Sequence, residues 1–389
     1  MENVEVVRRG FAAWDRGDHE AAMADFASDI EIDASERILN PAVYTGIDGA
    51  MRFSREIAET WGEFHVEVEE LLPAGDQVVV LVHSTGQGRA SGAPVDSRAA
   101  WVVVVSEGKV KRMRLYRDRA QALAAARVGV VVQQFADTNA RDFGAVMEAY
   151  AEGVELVMHG DKGGILSRTA TGKQAVGEWF GDWFRQFSRD YRFEIEEARG
   201  IGNRVLIVAS HHGRGRDSGV PVEEQWAYLY GVRDGKVDLV ELWGDRDARA
   251  AALAAVGPAD AVRGHFEAFD HGGLDAVAEF WHPDVDWRAV EGAADDVGVI
   301  RGPDALRRYY QDWIDTLDEL QARVEEIVSE AGERVAASVR NSGRGKASGV
   351  QTEGRYYVAC TVRDGRIVSG REYETREQAL EAVGSESPL

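Results

Sequence analysis

The sequence predicts an α+β protein built from three tandem copies of one unit, and two observations carry that expectation. One is a set of glycine-centred markers that return at a single period. The other is the order of patterns inside each period, helices first and strands after. The segment Gly88-Arg-Ala-Ser-Gly92-Ala-Pro-Val-Asp96 returns as Gly215-Arg-Asp-Ser-Gly219-Val-Pro-Val-Glu223 and Gly345-Lys-Ala-Ser-Gly349-Val-Gln-Thr-Glu353, with the second glycines spaced by 127 and 130 positions. Gly108-Lys-Val, Gly235-Lys-Val and Gly365-Arg-Ile keep that spacing. Gly46, Gly172 and Gly302 lead to Ala50, Val176 and Leu306 and then to Phe53, Trp179 and Tyr309, at 126 and 130. A period of this length is a domain rather than a solenoid repeat, so each copy should enclose its own core.

Within the first copy, Val4, Val7, Phe11 and Trp14 recur at helical spacing over residues 3–14 and stop at Gly17-Asp18. A short second helix is expected over 18–27, then a strand from Asp29-Ile-Glu-Ile. Ala50, Phe53, Ile57 and Trp61 share one face of a helix that follows Gly46. Strands follow at His65-Val-Glu-Val, Val78-Val-Val-Leu-Val, Trp101-Val-Val-Val-Val and Val110 to Tyr116, separated by turns at Gly75-Asp76, Gly88 to Gly92 and Glu107-Gly108. Helices followed by a run of hairpins read as α+β with an antiparallel sheet, because a parallel α/β fold would alternate throughout. Each copy closes on a short helical tail, Tyr116 to Leu123, Trp243 to Leu253 and Tyr373 to Leu380, opened by an Asp or Thr suited to cap it. Boundaries are therefore expected at 1–127, 128–256 and 257–389, the second marked by Gly257-Pro258. No Pro/Ser-rich linker separates the copies, so they should be packed together.

Composition narrows the partners. Forty-five Lys and Arg against 67 Asp and Glu give a net charge of −22. Such a chain repels phosphate backbones and anionic lipid, and no basic run makes a local patch, so neither nucleic acid nor membrane is expected as a partner. Cys360 is the single cysteine, which excludes an internal disulfide and a cysteine-based zinc site. The N-terminal residues lack a basic-then-apolar leader and no stretch has the roughly 18 apolar residues of a membrane span, so a cytoplasmic location is expected. No Gly-x-Gly-x-x-Gly follows a strand, and neither a Walker motif nor His-Glu-x-x-His occurs, so no cofactor or metal is expected. The Gly-Arg-x-Ser-Gly segments lie between strands and read as hairpin turns rather than phosphate cradles. His211 and His212 are adjacent on a strand and face opposite sides, which makes them a poor metal pair.

The order helix, Gly-Asp turn, helix, Asp-Ile-Glu strand, Gly-x-x-x-apolar helix, hairpins, Asp-Gly-Lys-Val turn and aromatic-x-Asp-Arg tail resembles the SnoaL-like polyketide cyclases. These belong to the nuclear transport factor 2-like superfamily, together with ketosteroid isomerase. The third copy carries the resemblance best, in Phe280-Trp-His-Pro-Asp-Val-Asp-Trp287, Arg301-Gly-Pro-Asp-Ala-Leu306 and Arg363-Asp-Gly-Arg-Ile-Val-Ser-Gly-Arg-Glu-Tyr373. It implies three cone-shaped α+β barrels, helices packed on a curved sheet, with a ligand in the mouth of a cone.

The resemblance also implies site residues. The acid of the cyclases, seven residues after the glycine of the last hairpin, falls on Leu115, Leu242 and Glu372. Only the third copy has a carboxyl there, and burial in an apolar cavity would raise its pKa toward neutrality, as a proton shuttle needs. The two oxyanion donors of ketosteroid isomerase fall on Gly10, Gln134 and His265, and on Ala100, Ala227 and Tyr357. The isomerase base falls on Ala34, Met158 and Ala289, so that mechanism is not supported; Asp33, His159 and Arg288 stand one position away. Glu372, His265 and Tyr357 are thus the catalytic candidates, and Trp287, Tyr309, Trp313 and His159, the last beside Asp161, the candidates for ligand contact. The expected function is binding of a small apolar or polycyclic ligand, with cofactor-free acid/base chemistry of the isomerase, cyclase or hydrolase kind in the third copy. A non-catalytic binding or protein-interaction scaffold is the alternative, since this superfamily hosts both. An apolar outer sheet face must be covered. Two copies pairing within the chain would leave the third to form a homodimer, the favoured expectation, whereas a pseudo-threefold arrangement would satisfy all three internally and give a monomer.

Overall fold

The computed structural model describes residues 2–37, 39–117, 119–160, 169–244, 246–271, 273–293 and 295–385. The first copy contains α1 (Glu2–Asp15), α2 (His19–Met23), β1 (Phe26–Asp33), β2 (Val43–Thr45), α3 (Gly46–Thr60), β3 (Trp61–Ala74), β4 (Gln77–Gly88), β5 (Pro94–Ser106) and β6 (Lys109–Tyr116). The second contains α4 (Arg119–Ala140), α5 (Phe143–Ala149), β7 (Tyr150–His159), β8 (Thr169–Thr171), α6 (Lys173–Arg185), β9 (Arg192–Ile201), β10 (Arg204–Arg214), β11 (Pro221–Arg233), β12 (Lys236–Trp243) and α7 (Ala248–Ala254). The third contains α8 (Pro258–His271), α9 (Gly273–Ala278), β13 (Trp281–Arg288), β14 (Ile300–Arg301), α10 (Pro303–Thr316), β15 (Leu317–Ala331), β16 (Arg334–Gly345), β17 (Gln351–Arg363), β18 (Arg366–Tyr373) and α11 (Arg376–Gly384). The helix expected over 18–27 is shorter, because Phe26 already belongs to β1.

Each copy folds into a six-stranded sheet of identical order, in the first β2-β1-β6-β5-β4-β3. The hairpins are antiparallel as expected, but β1 runs parallel to β6, as β7 does to β12 and β13 to β18. These strands stand at opposite ends of their unit, and so long a connection can return a strand in either direction. The sheets curve at one repeated feature. Glu69, Glu196 and Glu325 are each an extra residue on the long outer strand, between the paired positions on either side. Such a bulge bends the strand and increases its twist. The glycine-bracketed segments are the hairpin turns expected: Gly88, Gly215 and Gly345 donate to Ala93, Val220 and Val350, and Gly92, Gly219 and Gly349 sit at φ 65°, 64° and 67°.

Both faces of the central strands are buried, which is why Val78-Val-Val-Leu-Val82 reads as an unbroken apolar run. Val78, Val80 and Val82 face the interior of the first cone, whereas Val79 and Leu81 face Ala122, Ala126 and Val130 of α4 on the outside. This one helix covers the first sheet and then enters the second cone, so the boundary expected between 127 and 128 lies inside it. The second sheet is covered by Ala248 and Ala252 of α7, and the third by Ala379 and Val383 of α11. Thr375 caps α11 in a reciprocal capping box with Gln378, while Asp247 makes no side-chain cap to α7. The apolar outer faces that made a homodimer expected are therefore covered from within the chain. The copies are packed together, as the missing linker implied. Gly129 approaches Gln77 so closely that a Cβ would stand 1.8 Å from its amide nitrogen. At the second junction Arg127 donates to the Gly202 carbonyl (2.8 Å), and the Gly202 amide donates to Glu267 of α8 (3.1 Å). Burial pushes Glu267 up to about 7. Among the described residues no helix is long and apolar enough to cross a membrane.

Candidate functional site

Strand alternation brings Val358 and Cys360 of β17 and Glu372 of β18 to the inner face of the third cone. Opposite them, Trp287 of β13 is fully buried and pairs with Gly370, where the other copies have Ile32 with Met113 and Leu156 with Val240. A Cβ on residue 370 would stand 2.2 Å from the Trp287 ring, so the glycine is what lets the indole lie across β18. From there Trp287 Nε1 donates to Glu372 Oε1 at 3.0 Å. Burial pushes the Glu372 carboxyl up to about 8 against the lowering effect of that hydrogen bond. Tyr309, Tyr310, Tyr356 and Cys360 lie within reach of its charge, and burial first, then that charge, pushes each of them up. Tyr309 donates to Asp295 at 2.8 Å, and half-buried Trp313 stands beside the Tyr309 hydroxyl. The third cone thus brings Glu372, Trp287, Tyr309 and Trp313 to one region.

His265 and Tyr357 do not join them as donors. Trp281 Nε1 donates to His265 Nδ1 (3.3 Å), which leaves the ring proton on Nε2 to be donated to Tyr310 Oη (3.2 Å). Burial lowers His265 to about 3, so the ring is neutral at ordinary pH, and both its nitrogens are engaged. Tyr357 lies on the outer face of the sheet, packed with Tyr373 against the cluster of Ala336, Ala359, Ala379 and Val383. Sequence counting from the hairpin glycine places Tyr357 opposite Glu372. The structure shifts that register, because Thr361 pairs with Ser369 and Val362 with Ile367, leaving Val368 as an extra residue. Val358 faces Glu372 instead, and the inward tyrosine is Tyr356.

The second cone is filled. His211 is 1% exposed, with Nδ1 2.6 Å from Tyr191 Oη and Nε2 2.7 Å from Tyr228 Oη, and its ring stacks on Trp226. His212 faces the other way, toward Glu194. His159 is not in the cone. It stacks on Trp243 at 4.4 Å and meets Glu241 at 3.0 Å on the outer face, and the inward residue beside it is Met158. Asp161 and Lys162-Gly163-Gly164 lie outside the described residues.

The first cone holds what sequence reasoning missed, an apolar cavity of about 520 Å³ lined by Phe11, Trp14, Phe53, Trp61, Trp101 and Leu115 among others. Strand pairing shows why it is open here. Gly10, Ser84 and Ala99 line it at positions that hold Gln134, His211 and Trp226 in the second copy and His265, Asn341 and Tyr356 in the third. The signal was present in the sequence as three small residues where both other copies are bulky. Leu115 occupies the position of Glu372, so the first cone has a cavity without that carboxyl, and the third has the carboxyl among aromatic side chains. Among the described residues no group of three or more His, Cys, Asp or Glu side chains is placed to hold a metal ion.

The family model described as SnoaL-like domain matches residues 7–113, 131–240 and 262–370. An uncharacterized protein of Mycobacterium tuberculosis (strain ATCC 25618 / H37Rv) is 31% identical over 120 residues, which cover 30% of this chain and 91% of that protein. Among solved structures, an NTF2-like protein of unknown function from Burkholderia pseudomallei is similar at 20% identity, covering 32% of this chain and 95% of that one with a TM-score of 0.28. Bal32a, from a soil-derived mobile gene cassette, is 25% identical over 30% of this chain and 88% of its own, also at 0.28. With three successive matches across most of its length and three sheets of one topology, the chain belongs to the SnoaL-like domain family, as three tandem copies.

Proposed function

We propose that this protein binds a small apolar, ring-containing molecule in its first cone. The observation that carries the reading is the apolar cavity of about 520 Å³ left by Gly10, Ser84 and Ala99. Its size lies within the roughly 300–1,000 Å³ of small-molecule sites, and aromatic walls favour a planar guest. Trp14, Trp61 and Trp101 line it, so a bound aromatic should change the tryptophan emission. Titration with naphthalene derivatives should be saturable in the wild-type chain. Ala99→Trp, which imports the side chain of the second copy, should weaken binding by about tenfold or more. Equal affinity in this variant would overturn the reading.

A second reading concerns the third cone, where Glu372 serves as a proton shuttle for cofactor-free acid/base chemistry. What supports it is a buried carboxyl at about 8, held by the Trp287 indole, because an acid poised near the working pH can both give and take a proton. On β17 the phenol that shares the inner face with Glu372 is Tyr356 rather than Tyr357. Turnover of any substrate found should be lost in Glu372→Gln, and unchanged turnover would remove Glu372 from that role.

A further inference from the structure

The first cone carries a charge that its apolar walls do not need. Arg37, in the loop after β1, lines the cavity with its guanidinium 5.5 Å from the centre of the Phe53 ring. It makes no ion pair with a carboxylate among the described residues, in a chain with 67 acidic side chains. Its polar neighbour is the Tyr44 hydroxyl at 3.5 Å, which itself donates to Glu56 at 2.5 Å. Glu56 already has Arg52 at 3.7 Å, so it is not a counter-ion held in reserve for Arg37. The other charged groups around the cavity are Asp25, paired with Arg9, Glu36, which accepts the Arg117 amide, Arg98, paired with Glu69, Arg117 and, from β15 of the third copy, Arg323. With Asp25 held by Arg9 and Arg98 by Glu69, Arg37 is a guanidinium on this rim that the groups around it leave without a carboxylate partner among the described residues.

We propose that the first cone selects a molecule with an apolar ring body and a carboxylate head, the body between Trp14, Phe53 and Trp101 and the head on the Arg37 guanidinium. This rests on the reading that the cone binds an apolar ligand, and it adds the chemical class. A guanidinium over an aromatic ring at the edge of an apolar cavity is weakly hydrated and presents a planar fork that matches a carboxylate. A neutral ligand would leave that fork uncompensated as its surroundings lose water, whereas a carboxylate restores the hydrogen bonds and neutralises the charge.

The test compares 2-naphthoate with 2-naphthalenemethanol, matched in size and differing in charge, by tryptophan-fluorescence titration of the full chain at pH 7.5. The wild-type protein should bind the acid about tenfold or more tightly than the alcohol, as a charge-assisted hydrogen bond supplies. In Arg37→Gln that preference should collapse to within about threefold, through loss of affinity for the acid, while the alcohol still binds saturably. Saturable binding of the alcohol shows that the variant keeps its cavity. Equal binding of acid and alcohol by the wild-type chain would overturn the carboxylate assignment and leave the apolar cavity standing. A preference that survives in Arg37→Gln would overturn the role of Arg37. Binding of neither probe would overturn the proposed function and this inference together.

Discussion

Replacing Glu372 by glutamine fixes the third cone in the form that the fold prefers. Burial holds this carboxyl at about 8, against 4.5 when unperturbed, so the folded chain binds the proton more tightly than the unfolded chain. The sign follows from linkage. A group whose pKa is raised in the fold contributes stability that is complete below pH 4.5 and is lost as the pH rises to about 8. The full difference corresponds to about 5 kcal/mol, and partial solvent access to the side chain brings the expected loss to about 2–5 kcal/mol. The glutamine of Glu372→Gln has the shape of the protonated acid and an oxygen for the Trp287 indole, and it cannot ionise. Near pH 5 the variant should match the wild type within about 1 kcal/mol, and at pH 9 it should be the more stable by about 2–5 kcal/mol. The comparison must be a difference between the two proteins, because His265, lowered to about 3, and Glu267, raised to about 7, add the same pH dependence of stability to both. Hydrogen exchange of the β17 and β18 amides, measured from pH 5 to 9 with correction for intrinsic rates, reads the third copy alone in a chain that need not unfold in one step. Wild type and variant losing protection in parallel over this range, or the variant being less stable at pH 9, would refute the buried-carboxyl argument.

Other perturbations follow from the same geometry. Gly370→Ala sets a methyl group 2.2 Å from the Trp287 ring and should destabilise the third copy by about 1–3 kcal/mol, read as loss of protection confined to β13 and β18. Nitrogen chemical shifts of His265 should report a neutral ring protonated on Nε2 throughout pH 5 to 8; a titration near 6.5 would contradict its burial and its bonds to Trp281 and Tyr310. With all three outer sheet faces covered by α4, α7 and α11, light scattering should give the 42.7 kDa of one chain, and a mass twice that would show that another surface pairs.

Much of this architecture was legible because it is repeated. Three glycine-centred markers at one spacing defined the unit, and apolar periodicity placed most of its helices and strands. The parallel pairing of β1 with β6 was not legible, since distant strands carry no local signal of direction. Glu372 was found at the cone interior by its count from the hairpin glycine, and it faces inward because the extra residue Val368 reverses the alternation that runs on from inward Ile367. Tyr357 was misplaced for the complementary reason, since that same residue changes which partner on β17 faces Glu372. His159 could stand in the cone only if the counted position slipped by one, and it does not slip: Met158, the counted residue, is the one turned inward. The cavity of the first cone depends on the absence of bulk at Gly10, Ser84 and Ala99, a property that residues picked for their chemistry do not reveal. Arg37 lies in an irregular loop, where no period fixes the direction of a side chain.

The three cones have diverged into an open apolar cavity, a filled aromatic interior and a part-buried carboxyl among aromatic rings. The most direct measurement of that division is the anomalous diffraction of a crystal soaked in a brominated naphthalene. The expected result is one bromine site per chain, in the first cone between Trp14, Phe53 and Trp101. Bromine in the second or third cone with none in the first, or no ordered bromine at saturating probe, would contradict it.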